Sequence, residues 1–237
     1  MPHEPRRTSR RDFLARIAPL LPLGAVACGW DGGPKLQPVF DRVIGFNNKL
    51  GEELQSIRGA TAPPHQVIKG TMPSYFISPT MPMLDDPAAW RLRVGGLVRT
   101  PTEFSLEMLG ALPHLDYRVT HHCVEGWTAV APWRGVPFST IAALVDPMPT
   151  ARYVRFDSFD QDYFNGWDIA SAMHPQTIFA DGQEGQPLSA RHGGPVRLYS
   201  PIKLGYKLTK YLTGVTFTDR KPGGYWEDQG YPWFAGL

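Results

Sequence analysis

The side chains best able to do chemistry stand together in His121-His122-Cys123-Val124-Glu125-Gly126-Trp127. Two imidazoles, a carboxylate and an indole surround one thiol, which is more polarity than an inert cysteine buried as a small hydrophobe needs. Three chemistries suit a thiol in that company: a nucleophile activated by a histidine, a zinc ligand, or a ligand to a softer metal. In an extended stretch, neighbours point to opposite faces, so His122 is badly placed to serve as base for Cys123. The second cysteine or His-x-x-x-His pair that zinc usually takes does not accompany Cys123. A lone thiolate suits a metal whose other ligands come from a cofactor, because sulfur is the soft donor. Glu125, two residues on and on the same strand face, is the candidate proton relay or tuning group, its competing role being a structural hydrogen bond.

A second signal lies at residues 185–218, which hold Arg191, Arg197, Lys203, Lys207 and Lys210 and not one Asp or Glu. Such runs are usually solvated faces. Here the cations alternate with His192-Gly193-Gly194-Pro195 and Gly205, where a backbone can approach a ligand closely and cradle an anion. The formal net charge of +2 comes from the first 28 residues, where five arginines face Glu4 and Asp12, and the rest carries −1. Without a global positive field, no nucleic-acid partner is expected, and a phosphate-bearing cofactor fits the cations better than a polyanion.

These groups need a scaffold. The 24 glycines, 24 prolines and 12% aromatic residues favour turns and short strands over a helical bundle, and 237 residues suffice for one domain with a core. Trp90-Arg91-Leu92-Arg93-Val94 alternates with period two, and Gly95-Gly96 is expected to turn the chain into Leu97-Val98. Tyr117-Arg118-Val119-Thr120 alternates likewise, placing Cys123 at or just past a strand end. Ser139 is the expected N-cap of a helix over 140–145 ended by Asp146-Pro147. Strands are expected at 152–156, 178–180, 195–199 and 214–217, a helical turn at 168–173 before Pro175, and a tight turn at Asp181-Gly182.

Thr8-Ser9-Arg10-Arg11-Asp12-Phe13-Leu14 and the short apolar run that follows read as a twin-arginine export signal over residues 1–28. Its usual passengers fold around a cofactor before export, and it implies a periplasmic destination. Cys28, directly after Ala25-Val26-Ala27, is a candidate lipid anchor. Residues 29–69 are read as a linker and lead-in, with interrupted helix-forming stretches from 45 to 64, and 70–237 as the functional domain.

Cys123-Val124-Glu125-Gly126-Trp127, followed by Pro132-Trp133-Arg134-Gly135-Val136-Pro137-Phe138, resembles the molybdenum-binding segment of the sulfite oxidase superfamily. It is most similar to catalytic subunits of bacterial periplasmic protein-methionine-sulfoxide reductases. Residues 152–158, Ala172-Met173-His174-Pro175, 192–198 and 203–210 extend the resemblance to roughly 70–237.

The resemblance implies an α+β fold of several small β-sheets with short helices around Mo-molybdopterin, Cys123 being the protein ligand to molybdenum. It places Ser158, His192, Arg197 and Leu208-Thr209-Lys210 on the pterin and its phosphate, with Lys207 in the same stretch and Tyr75-Phe76 as an early contact. Ser158 replaces the family's threonine, His192 its asparagine, and His122 the arginine that precedes the metal cysteine in the sulfoxide enzymes. The candidate catalytic set is Cys123, Glu125 and His122, with one of His121 and His122 lining the pocket and the other a strand histidine. The expected activity is two-electron oxo transfer such as S-oxide reduction by a monomer. Having no Cys-x-x-Cys-His haem motif, the chain would exchange electrons with a membrane haem protein or a soluble cytochrome. The rival readings are oxidation of sulfite-like anions, a Cys/His hydrolase, and an exported module that binds an anion without chemistry.

Overall fold

The computed structural model describes residues 72–236, together with Pro38, Arg42, Val43, Gly45 and Phe46, which are exposed helical positions. The expected signal at 1–28, Cys28 and most of 29–69 lie outside the described residues.

Ten strands and three short α-helices follow one another along residues 72–236. The strands are β1 (Leu92–Gly96), β2 (Thr102–Phe104), β3 (Leu115–His122), β4 (Thr128–Pro137), β5 (Tyr153–Ser158), β6 (Phe164–Asp168), β7 (Ile178–Gln183), β8 (Gln186–Pro187), β9 (Arg197–Tyr199) and β10 (Leu212–Thr218). The helices are α1 (Leu106–Gly110), α2 (Phe138–Val145) and α3 (Ile169–Ala172). One sheet runs β2-β1-β10-β5-β6, with β1 and β10 parallel and the other pairs antiparallel. The second runs β3-β4-β7-β8, with β9 also paired to β7. The expected α+β architecture of small sheets and short helices is therefore present.

Period-two burial sets which face of each strand meets the core. Val154 and Phe156 point inward from β5, and Ala129, Ala131 and Trp133 from β4. The β4 pattern breaks where the register with β7 shifts between Arg134 and Gly135. A Cβ on Gly135 would sit 2.3 Å from the Phe179 carbonyl oxygen, so this bulge requires glycine. Phe138 joins the two sheets: its ring lies 5.9 Å from Phe156 of β5, 5.8 Å from Phe217 of β10 and 5.6 Å from Phe179 of β7.

Three local expectations are corrected. Gly95-Gly96 does not turn the chain but completes β1, because Gly96 at φ +82 lets β1 lie against β10; a Cβ there would be 2.2 Å from the Phe217 carbonyl oxygen. Of the strand expected after it, Val98 keeps only an isolated bridge to Pro147. Ser139 lies inside α2, which starts at Phe138 after Pro137 with no side-chain cap; the buried Phe138 ring fixes that end. The helix ends as expected, at a left-handed Asp146. β7 runs through Asp181-Gly182, and the turn falls at Glu184-Gly185, with φ of 54° and 74°, the two left-handed positions a two-residue hairpin needs.

Candidate functional site

Strands β3 and β4 form a hairpin whose last pair is His122 with Thr128. The connection is tight: Cys123 N–H donates to the Trp127 carbonyl (3.0 Å) and Gly126 N–H to the Cys123 carbonyl (3.1 Å), with Gly126 at φ +86. A turn closed by a left-handed glycine is a standard three-residue hairpin loop. Cys123 thus sits just past the strand end, as expected, but Glu125 reaches the same side through the turn and not through an extended strand.

One cavity, reaching the surface at Tyr75, Val124 and Tyr231, is lined by Cys123, Glu125 and Trp127 of this hairpin and by His121. Strand alternation settles the histidines: His121 is buried and faces the cavity, whereas half-buried His122 does not line it. The His121 ring lies 5.5 Å from Trp127 and 6.0 Å from Tyr199. Burial, with Arg197, His122 and Lys210 nearby, pushes His121 down to about 3, so it is a neutral wall at pH 7.

Burial raises the Cys123 thiol above its usual value, while the backbone amides of Glu125 and Val124 oppose the shift. An activated cysteine nucleophile shows the reverse, which disfavours the Cys/His hydrolase. Among the described residues, no group of three His, Cys, Asp or Glu side chains is gathered to hold a metal. A metal on Cys123 would need ligands from a bound cofactor, the donor set a dithiolene completes.

The cavity also holds His192, Arg197 and Lys210. Arg197 extends from β9, its guanidinium donating to the His192 (2.8 Å) and Leu208 (3.1 Å) carbonyls, and burial lowers it to about 10. Lys210 is brought down to about 7 by burial and by Arg197, with Asp160 pulling it up and Arg191 down. Burial, then Arg197, Lys210 and Arg191, hold His192 at about 4. These groups depress one another because they converge, and a bound anion relieves such a cluster. Thr209, an expected contact between Leu208 and Lys210, is fully buried and does not line the cavity; its hydroxyl has no hydrogen-bond partner among the described residues. Cation cradle and soft thiol, lining one cavity, together fit a phosphate-bearing molybdenum cofactor.

A strap over residues 72–78 borders the cavity. Lys210 Nζ donates to Ser74 Oγ (2.8 Å) and the Tyr75 carbonyl (2.7 Å). The Asp160 carboxylate accepts from Ile77 N–H (2.7 Å), Ser78 N–H (2.8 Å) and Ser78 Oγ (2.6 Å). The phenol of exposed Tyr75 donates to Glu125, and this bond holds the Tyr75 proton more tightly than usual; Glu125 also accepts from the Trp127 indole (3.1 Å).

Of the expected contacts, Tyr75, Phe76, His192, Arg197, Leu208 and Lys210 line the cavity together with Cys123 and Glu125. Ser158 does not: its hydroxyl accepts from Asp160 N–H (2.9 Å) and so shapes the turn that aims Asp160. Lys207 turns into the core, where its amine meets the Gly166 carbonyl (2.8 Å) and the Glu227 carboxylate; burial lowers it to about 8 although Glu227 pulls it up. Sequence reasoning missed Asp160, Tyr206, Trp226 and Tyr231, which also line the cavity. The Ser-x-Asp spacing at 158–160 was the available signal for the first.

Sheet architecture and site together define a cofactor-binding redox domain. Residues 79–226 match the family described as oxidoreductase molybdopterin binding domain, and the chain belongs to that family, whose cofactor is Mo-molybdopterin. It is 48% identical over 151 residues to the putative protein-methionine-sulfoxide reductase subunit YedZ1 of Azospira oryzae, covering 64% of this chain and 57% of that protein. The protein-methionine-sulfoxide reductase catalytic subunits MsrP of Ralstonia nicotianae and Burkholderia mallei are 33% and 35% identical over 155 residues, each match covering 59% of this chain and 47% of theirs. The chain thus spans about half the length of these relatives. Sulfane dehydrogenase SoxCD of Paracoccus pantotrophus shares the fold, with a TM-score of 0.56 at 20% identity over 59% of this chain and 40% of that one.

Proposed function

We propose that the chain is the exported catalytic part of a molybdenum-dependent sulfoxide reductase that draws electrons from a separate haem protein. One observation carries this: the Cys123 thiol, the Arg197 and Lys210 cations and the His192 imidazole line a single cavity. The names of the relatives favour a sulfoxide, and the Arg10-Arg11 leader favours export.

The bound cofactor supplies a two-electron change coupled to oxygen-atom transfer, so that a sulfoxide, two electrons and two protons become a thioether and water. Cys123 contributes the thiolate. Arg197 and Lys210 would hold the phosphate by charge and His192 by a hydrogen bond. The Glu125 carboxylate, held by Trp127 and Tyr75 at the cavity mouth, accepts and returns protons from solvent. Neutral His121 adds no charge beside the sulfur, and the aromatic walls exclude water.

Protein made in a molybdenum-replete host should carry stoichiometric molybdenum and, once reduced by a viologen dye, convert methionine sulfoxide to methionine. Cys123→Ala should stay folded and carry none. Metal-free wild type, or a fully loaded Cys123→Ala, overturns the ligand assignment. Loaded protein that oxidises sulfite and ignores sulfoxides replaces the substrate reading with the sulfite-like one. Export is tested separately: Arg10→Lys with Arg11→Lys should strand the protein in the cytoplasm.

A further inference from the structure

The Lys207–Glu227 ion pair is buried, the two side chains being 0% and 5% exposed, yet neither residue touches the cavity. What it holds does. Glu227 opens the 3-10 turn Glu227–Gln229, whose preceding residue is Trp226, and the turn leads to Tyr231; Trp226 and Tyr231 both line the cavity. Their rings lie 5.3 Å apart, and Tyr231 is 5.2 Å from Tyr206, so the three rings form a continuous wall. Tyr206 donates its phenol to the Pro232 carbonyl (2.6 Å). Gly205, next to Tyr206, is pressed against His121, two residues before the thiol: a Cβ there would lie 3.0 Å from its Nε2.

The chain is built to receive this pair. Lys207 follows Tyr206 directly and is itself anchored, its carbonyl accepting from the Trp167 indole (3.0 Å) and its amine reaching Gly166 in β6. Gly224 leaves room for the carboxylate, since a Cβ on it would fall 2.1 Å from Glu227 Oε2. Such a buried pair adds little stability over apolar neighbours of the same shape, and geometric specificity is its better-attested use.

We propose that Lys207 and Glu227 are positioning residues that fix Trp226 and Tyr231 as an aromatic wall beside Cys123, and that this wall selects substrates carrying an apolar or aryl group on the reacting sulfur. An aryl substituent stacks on the wall, whereas a small dialkyl substrate reaches too little of it to gain. The substrate half rests on the sulfoxide reading above; the positioning half does not.

The test compares the loaded wild type with Glu227→Gln and Trp226→Ala, using methyl phenyl sulfoxide and dimethyl sulfoxide. Both variants should keep full molybdenum content and raise KM for the aryl substrate about tenfold more than KM for dimethyl sulfoxide, a change of roughly 1.4 kcal/mol. Independently of turnover, acrylamide should quench Trp226 fluorescence more strongly in Glu227→Gln, read against the same protein carrying Trp226→Phe. Should Glu227→Gln not fold, Gly224→Ala, which displaces the same carboxylate, carries the same expectation. Loss of molybdenum in Glu227→Gln, equal KM changes for both substrates, or unchanged quenching overturns the proposal. If the wild type reduces neither sulfoxide, the sulfoxide reading falls and quenching alone decides the positioning role.

Discussion

A thiol raised by burial and a group of basic side chains that lower one another are each unfavourable alone. They make sense as two ends of one ligand, because a metal would take the proton's place on Cys123 and a phosphate would neutralise Arg197 and Lys210. Lys210→Met removes one charged contact worth about 1.5–3 kcal/mol, so molybdopterin retention should fall at least tenfold, measured as molybdenum left after dialysis. Lys207→Met should leave retention unchanged, because its amine is buried against Glu227 and Gly166. Equal losses in the two variants would restore Lys207 as a cofactor contact.

Among the elements, the β3–β4 hairpin has the most direct hold on the chemistry, since its loop carries both the thiol and Glu125. Gly126 at φ +86 has nothing within 4 Å of a Cβ placed on it, so Gly126→Val meets backbone strain and no clash. The cost should be about 1–2 kcal/mol, read as a lower urea midpoint with an unchanged slope, and molybdenum content should drop with it. A variant as stable as wild type would mean that the loop takes another form. Part of this scaffold was legible beforehand: alternation marked β1, β3 and β5, strands were expected where β7, β9 and β10 lie, and Pro175 bounded α3, whereas β4, the partner of β3, was not foreseen. The misplaced features were Gly95-Gly96, Ser139 and Asp181-Gly182. Local residue preference pointed to turns and a cap there, while pairing partners far along the chain decided otherwise.

The whole molecule depends on Phe138, where the two sheets meet. Phe138→Ala should cost about 3–5 kcal/mol, seen in chemical unfolding; a loss below 1 kcal/mol would show that the sheets hold together without it. Acid stability is a property of the assembled cavity. His192 falls from 6.5 to about 4 on folding and Lys210 from 10.5 to about 7. Both folded values lie below the unfolded ones, so the unfolded chain binds more protons and stability declines as pH drops. For Lys210 the decline runs from pH 10.5 to about 7, and for His192 from pH 6.5 to about 4. Cofactor-free wild type should therefore lose more Tm than His192→Gln on going from pH 6.5 to 4, and bound phosphate should narrow the gap. Parallel curves would show that the imidazole is not held neutral.

From the residues alone came the chemistry: a soft donor without protein co-ligands, a cation-rich stretch without acids, and strand periodicity that set the thiol at a strand end. Each is a property of residue type and near-neighbour spacing, which short-range sterics and charge express directly. Only the tertiary structure decided that His121 and not His122 faces the cavity, that Asp160 holds the strap, and that Lys207 serves the tail and not the phosphate. Those outcomes depend on which distant segment packs opposite each side chain, as Glu227 meets Lys207 across twenty residues of chain, and no local pattern encodes a partner that far away.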